Sequence, residues 1–64
     1  MKVNGTSFVL EKEQSLFDFL IMKEFNLKTI AVERNGEIIP KAAYKEVLLE
    51  NEDSLEIVQF VGGG

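Results

Sequence analysis

The sequence predicts an α+β fold in which one helix packs across one face of a mixed sheet of four or five strands. Three observations support this prediction. Two Asn-Gly pairs, Asn4-Gly5 and Asn35-Gly36, each separate two short runs rich in β-forming residues. A segment whose apolar residues have helical spacing lies between these pairs. A final β-like run, residues 55–60, leads directly towards three glycines.

The composition limits the function classes that fit the chain. Its 64 residues predict one domain, near the lower size at which a core holds without disulfides or a metal. Because cysteine and histidine are absent, a thiolate nucleophile, the usual neutral-pH base and the commonest metal ligands are excluded. The net charge of −4 disfavours nucleic acid and anionic membranes and suits a basic partner surface. No signal peptide or membrane-spanning run is recognised, so we expect a cytoplasmic protein.

The first hairpin and the helix follow one another in the first half of the chain. Residues 2–4 and 7–10 are the two arms predicted around Asn4-Gly5. Ser15 is the predicted N-cap of a helix that runs from Leu16 to residue 24 or 25, with Asp18 in its first turn. Asn26 is the predicted left-handed stop after the helix.

The predicted helix has more apolar residues than one buried face requires. Its inner face consists of Leu16, Phe19, Leu20 and the stem of Lys23, with Phe17 at the edge. Three apolar residues lie away from this face: Ile21, Met22 and Phe25. We interpret them as partly shielded by neighbouring loops. The alternative is an apolar patch for a partner or for self-association.

The second hairpin and a crossover fill the second half. Strands are predicted at residues 30–34 and 37–39 around Asn35-Gly36, and Pro40 ends the second strand because it cannot donate to a ladder. A short helical turn is expected within residues 41–49. Its predicted anchors are Tyr44, Val47 and Leu48.

The last strand follows a polar turn at residues 51–54. Because side chains alternate along a strand, its residues divide between two faces. Leu55, Ile57 and Val61 form the predicted inner face, and Glu56, Val58 and Phe60 the outer face. Val58 and Phe60 are either packed against neighbouring chain or form a docking patch for a partner. The acidic residues Glu33, Glu37, Asp53 and Glu56 are interpreted as solvated surface charges.

The order hairpin, helix, hairpin, crossover, strand predicts the β-grasp, or ubiquitin-like, arrangement with the first and last strands parallel at the centre. Residues 1–61 are the predicted domain, and residues 62–64 a flexible tail. From Val61 onward an extended tail reaches ~14 Å. Without side chains, Gly62 and Gly63 can pass through a narrow channel and carry the Gly64 carboxylate into an active site. The alternative is a frayed end.

Several stretches together resemble the ThiS family of sulfur carriers in thiamine biosynthesis. They are residues 30–41, Tyr44, residues 53–58 and residues 60–64, with the Asn4-Gly5 hairpin and the helix start at Ser15. Two positions depart from the family pattern. Glu52 stands where glycine is usual before the aspartate, so a left-handed backbone there would cost stability. Tyr44 stands where tryptophan is frequent.

The resemblance implies a carrier that is not itself an enzyme and binds no cofactor. A ubiquitin-activating-type adenylating enzyme (ThiF-like) would use ATP and Mg²⁺ to adenylate the Gly64 carboxylate. Sulfur from the persulfide of a cysteine desulfurase or another donor would then give a thiocarboxylate, which a thiazole synthase (ThiG-like) would consume. Val58, Phe60 and Val61 would form the partner-binding surface.

Three alternatives remain open on the sequence. A MoaD-like carrier would use the same tail to supply sulfur for molybdopterin or another metabolite. A non-covalent ubiquitin-like binding module would act through a sheet face or edge. Conjugation to a lysine through an isopeptide bond is the third.

Overall fold

Five strands form a single mixed sheet in a computed structural model that describes residues 1–60. The strands are β1 (Lys2–Val3), β2 (Thr6–Ser7), β3 (Ile30–Arg34), β4 (Glu37–Ile39) and β5 (Ser54–Gln59). Their spatial order is β2-β1-β5-β3-β4, with β1 parallel to β5 and the other pairs antiparallel. The predicted β-grasp arrangement, with the first and last strands adjacent and parallel, is confirmed.

Both Asn-Gly turns form as predicted. Asn4 and Gly5 have φ angles of 49° and 84°, and Asn35 and Gly36 have 52° and 87°. Left-handed conformations at both central residues are those of a two-residue hairpin turn, which asparagine and glycine tolerate best. The resulting registers place Val3 opposite Thr6 and Arg34 opposite Glu37.

The second arm of the first hairpin is shorter than predicted. The main chains of Met1 and Phe8 exchange two hydrogen bonds, at 2.9 and 2.7 Å. Beyond them the Leu10 amide donates to Oδ1 of Asn51, at 2.9 Å. Residues 8–10 therefore lie outside the strand, which ends at Ser7.

Helix α1 (Leu16–Met22) begins where predicted and ends earlier than predicted. The Ser15 hydroxyl accepts a hydrogen bond from the Asp18 amide at 3.1 Å, which confirms the N-cap. The predicted left-handed stop at Asn26 is wrong, because the stop is Glu24, with φ of 63°. Asn26 instead caps a 3₁₀ turn (Leu27–Thr29), and its Oδ1 accepts from the Lys28 amide at 3.0 Å.

The core lies between α1 and the inner face of the sheet. Its members are Met1, Val3, Leu16, Phe19, Leu20, Ile30, Val32, Tyr44, Leu49, Leu55 and Ile57. The predicted inner face of the helix is therefore confirmed at its three apolar residues. Within residues 1–60, no helix has the length and apolar character needed to cross a membrane.

The crossover between β4 and β5 contains the expected helical turn, at Lys41–Ala43. Tyr44 is a buried anchor and Val47 a half-buried one, but the prediction of Leu48 as an anchor is wrong. Leu48 forms an isolated bridge with Ser15 and is exposed, whereas Leu49 is buried. Because side chains alternate along extended chain, only one of the two leucines can point inward.

Candidate functional site

Strand β5 determines where the C-terminal residues leave the domain. On one side it pairs with β3 from Leu55 to Gln59, and the Phe60 amide then donates to the Thr29 carbonyl at 2.7 Å. On the other side it pairs with β1 at Ser54 and Leu55. The predicted modified residue Gly64, the threading residues Gly62 and Gly63, and the contact residue Val61 lie outside the described residues.

The outer face of β5 is apolar near its end. Leu55 and Ile57 are buried on the inner face, while Glu56, Val58 and Phe60 are exposed. Val58 and Phe60 each have 53% of their surface accessible, so neighbouring chain covers only about half of each. The predicted division of residues 55–60 between two faces is confirmed. Packing against neighbouring chain accounts for only part of the surfaces of Val58 and Phe60.

Ile38 is another exposed apolar residue on the outer face, separated from β5 by strand β3, and the sequence reasoning missed it. Glu33 of β3 lies opposite Ile38 of β4 and also opposite Glu56 of β5, so all three share the outer face. Ile38 is 73% exposed. The Asn35-Gly36 turn contained the signal, since a two-residue loop fixes the register and hence the face of Ile38. We call Ile38, Val58 and Phe60 the outer patch.

A buried carboxylate stabilises the beginning of β5, and the interpretation of Asp53 as a solvated charge is wrong. Only 6% of its surface is exposed. Its Oδ2 accepts from the Arg34 Nε at 3.0 Å and from the Glu50 amide at 2.9 Å, and its Oδ1 accepts from the Asn35 amide group at 3.1 Å. Burial opposes ionisation, but these hydrogen bonds and the arginine charge outweigh it and hold the pKa of Asp53 below its ordinary value.

This network also orients the second hairpin against β5. The Asn35 amide donates to the Ser54 carbonyl at 2.8 Å, and Oδ1 of Asn35 accepts from the Ser54 amide at 2.9 Å. Glu52 has no left-handed backbone, so the strain expected from the missing glycine is absent. The departure from the family pattern is thus accommodated within an ordinary turn.

Asn4 supports the middle of β5 from the other side. Its Oδ1 accepts from the Ile57 amide at 2.7 Å, and its Nδ2 donates to the Ile57 carbonyl at 3.2 Å. These two bonds imitate one more residue of β1, which itself ends at Val3. Sequence reasoning assigned Asn4 only a turn role, because a contact across 53 positions leaves no local signal.

A second exposed apolar region lies on the helix side of the molecule. Ile21 and Met22 are 50% and 57% exposed and Phe25 is half-buried, so the shielding of these residues is partial, as interpreted. Beside them the Lys23 ammonium lies 4.6 Å from the centre of the Phe8 ring, which packs edge-on against Phe19. The lysine thus covers part of a shallow groove between α1 and the chain after β2.

The described residues provide no metal centre. Across residues 1–60, no group of three acidic, histidine or cysteine side chains is arranged to hold a metal ion. The arrangement that remains is a central strand that precedes the C-terminal glycines in the chain, beside an exposed apolar patch. This is the layout of a β-grasp carrier or binding module.

Comparisons with known proteins distinguish these classes. The model of the ThiS family matches residues 1–64. The sulfur carrier protein ThiS of Bacillus subtilis is 42% identical over 65 residues, covering 100% of this chain and 98% of that protein. The crystal structure of the thiamine biosynthesis protein ThiS from Geobacter metallireducens aligns with a TM-score of 0.79 and 29% identity, covering 98% of this chain and 96% of the other. The chain therefore belongs to the ThiS family, a family of sulfur carriers in thiamine biosynthesis.

A further relative is much longer than this chain. The thiazole synthase of Paramagnetospirillum magneticum is 54% identical over 37 residues, which is 58% of this chain and 11% of that protein. The similarity thus concerns one short segment of the synthase.

Proposed function

We propose that this chain carries sulfur for thiazole formation as a thiocarboxylate on the C-terminal carboxyl group of Gly64. The main support for the proposal is the match of the ThiS family model over residues 1–64, which include the three terminal glycines. The described strand β5 supports it, because its pairing with β3 as far as Gln59 gives the tail a fixed point of departure.

The chemistry requires activation by a partner. A carboxylate is a poor acyl donor, so an oxygen of Gly64 attacks the α-phosphorus of ATP on a ThiF-like adenylating enzyme and pyrophosphate leaves. The enzyme supplies the ATP and Mg²⁺. The terminal sulfur of a persulfide, from a cysteine desulfurase or another donor, then attacks the acyl carbon and AMP leaves. A thiol cleaves the resulting acyl disulfide and releases the thiocarboxylate.

In these steps the carrier provides the tail that enters the enzyme and the surface that binds it. Gly62 and Gly63 have no β-carbon, so the tail can enter a channel too narrow for other residues. The outer patch and Val61 form the proposed partner-binding surface. Glu33 and Glu56 lie on the same face as the outer patch, which suits a partner surface that combines apolar and basic residues.

A thiazole synthase is the proposed acceptor of the sulfur. The segment similar to this chain within a thiazole synthase supports this choice, because the carrier-like segment and the acceptor then belong to one polypeptide. Because the Bacillus subtilis and Geobacter metallireducens relatives are ThiS proteins, they favour a carrier for thiamine biosynthesis over a carrier for molybdopterin.

Intact mass spectrometry tests the proposal. The protein is incubated with ATP, a persulfide donor, a thiol reductant and the ThiF-like adenylating enzyme. The expected result is a mass increase equal to replacement of one oxygen by one sulfur. The same treatment of a variant lacking Gly64 is the control, and it should give no increase. An unchanged mass with an adenylating enzyme that is active on another carrier would contradict the proposal.

A further inference from the structure

The two neighbours of β5 end at different levels along it. Strand β3 accompanies β5 up to Gln59, and Thr29 accepts a bond from Phe60 beyond it. Strand β1 is only two residues long and stops opposite Leu55. The last part of β5 therefore has a strand on one side only.

The side chain of Asn4 closes part of the side facing β1. It bonds both the amide and the carbonyl of Ile57, at 2.7 and 3.2 Å. No third residue of β1 follows in this direction, because Asn4 and Gly5 turn the chain back into β2. On the side facing β1, the backbone groups of β5 therefore have hydrogen-bond partners up to Ile57 and, within residues 1–60, none after it.

Gln59 presents its backbone groups to this open side. Along a strand, backbone groups point alternately to the two neighbours. The Ser54 carbonyl and the Phe60 amide face the β3 side, while the Leu55 carbonyl and both groups of Ile57 face the β1 side. Gln59 therefore directs its amide and carbonyl to the β1 side. Within residues 1–60, neither group has a hydrogen-bond partner there.

We infer that this edge of β5 at Gln59 binds an extended segment of the enzyme that adenylates Gly64, so that the enzyme adds a strand to the sheet. One donor and one acceptor on the same side of an extended residue match the backbone of another strand. The inference rests on the proposed function, because it takes the partner from it.

The short distance to the reacting group favours an enzyme that acts on Gly64 as the occupant, and the adenylating enzyme is the first of these in the proposed sequence. Gly64 is four residues after Phe60, so an extended chain carries its carboxylate no further than ~14 Å from the end of the described domain. An enzyme that encloses Gly64 must therefore bring its own surface against the end of β5. Val58 and Phe60 flank Gln59 on the outer face, so a docked strand also places enzyme side chains against the outer patch.

Substitution of Gln59 by proline tests the edge. Proline removes the amide donor, and the ladder with β3 loses nothing because the Gln59 amide faces away from it. The control Gln59→Ala removes the side chain and keeps the donor. We expect Gln59→Pro to weaken binding to the ThiF-like enzyme about tenfold and Gln59→Ala to change it less than about twofold. Urea unfolding of both variants verifies that they fold.

Hydrogen exchange on the unmodified protein gives an independent measurement if Gln59→Pro does not fold. The Gln59 amide should exchange rapidly in the free protein and become protected in the complex with the adenylating enzyme. Rapid exchange in a complex whose Gly64 is adenylated would overturn the edge inference and leave the proposed function intact. Protection that depends only on the concentration of the free protein would also overturn it, because the occupant would be a second copy. Failure of adenylation itself would refute the proposed function, and the inference with it.

Discussion

Asp53 is a charged side chain that the fold buries near the start of its central strand. Burying an unpaired carboxylate is costly, but three donors converge on Asp53 from Arg34, Asn35 and the main chain of Glu50. The network joins β3, the second hairpin and the turn before β5. One residue thus fixes the second hairpin against the turn before β5, across 18 or 19 positions of sequence.

Replacing Asp53 by asparagine should destabilise the protein by about 2–3 kcal/mol. The amide retains the shape but loses the charge that pairs with Arg34, and its own N–H group faces donors. Domains of this size have roughly 3–10 kcal/mol of stability, so the loss is large. Urea unfolding measures it, with Glu52→Gln as the matched control at an exposed neighbouring position. Equal midpoints for the two variants would contradict the assigned role of the network.

The same carboxylate predicts how stability depends on pH. Because the pKa of Asp53 is lower in the folded state than its ordinary value of 3.8, ionised Asp53 stabilises the fold above that value. This contribution is lost as the pH falls below 3.8 through the folded pKa. The stability difference between the wild type and Asp53→Asn should therefore be constant from about pH 7 to 5 and shrink in stronger acid. Unfolding both proteins across this range measures the difference, and a constant difference down to about pH 2 would contradict the prediction.

At the scale of elements, the end of helix α1 has an unusual residue. The amides of Glu24 and Phe25 bond to the carbonyls of Ile21 and Leu20, at 2.9 and 3.0 Å. This is the Schellman arrangement, in which the left-handed residue is most often glycine. Here Glu24 adopts φ of 63° and also places a negative charge at the C-terminal end of the helix dipole.

Glu24→Gly should therefore stabilise the protein by about 0.5–1 kcal/mol, since relief of the left-handed strain exceeds the added flexibility of the unfolded chain. For a domain of this size, the corresponding rise in melting temperature is about 2–8 °C. Glu24→Gln separates the charge effect from the backbone effect and should give a smaller rise. A lower melting temperature for Glu24→Gly than for Glu24→Gln would show that the backbone at this position is not strained.

The elements that the sequence predicted correctly depend on neighbouring residues. The Asn-Gly pairs define both hairpins, and Ser15 and Asp18 define the start of α1, because turn and cap chemistry acts over two to four positions. The predicted end of α1 was wrong because Asn26 and Glu24 lie only two residues apart before the 3₁₀ turn. The hydrogen bonds that the amides of Glu24 and Phe25 donate to Ile21 and Leu20 make Glu24 the left-handed residue. The burial of Asp53 depends on Arg34, which is 19 residues away, so no local pattern indicates it.

At the scale of the whole molecule, the sheet separates the buried core from an exposed apolar face. Its inner face and α1 enclose the core, and its outer face carries the outer patch. Strand alternation alone correctly predicted that Val58 and Phe60 lie on the outer face. Predicting the face of Ile38 requires the register of the second hairpin. Predicting the open edge at Gln59 requires the order and the unequal lengths of β1, β5 and β3. The candidate site was thus predictable along β5 but not across the sheet.

This separation predicts that the outer patch can be altered with little effect on folding. Val58 and Phe60 are about half exposed, so replacing either by serine should cost less than about 1 kcal/mol of stability. If the adenylating enzyme docks on this face, each replacement should weaken its binding about 5- to 30-fold, because a few well-packed residues near the centre of an interface contribute most of its energy.

Val9→Ser is the matched control for these substitutions. Val9 is more exposed than either residue but lies in the chain between β2 and α1, away from the outer face. Its replacement should change neither folding nor binding measurably. Dissociation constants for the ThiF-like enzyme, measured beside urea midpoints for all three variants, give the comparison. If Val9→Ser weakens binding as much as Phe60→Ser does, the enzyme docks on the helix side, and the shallow groove beside Phe8 and Lys23 becomes the candidate surface. Weaker binding confined to Val58→Ser and Phe60→Ser would support docking on the sheet face beside the tail.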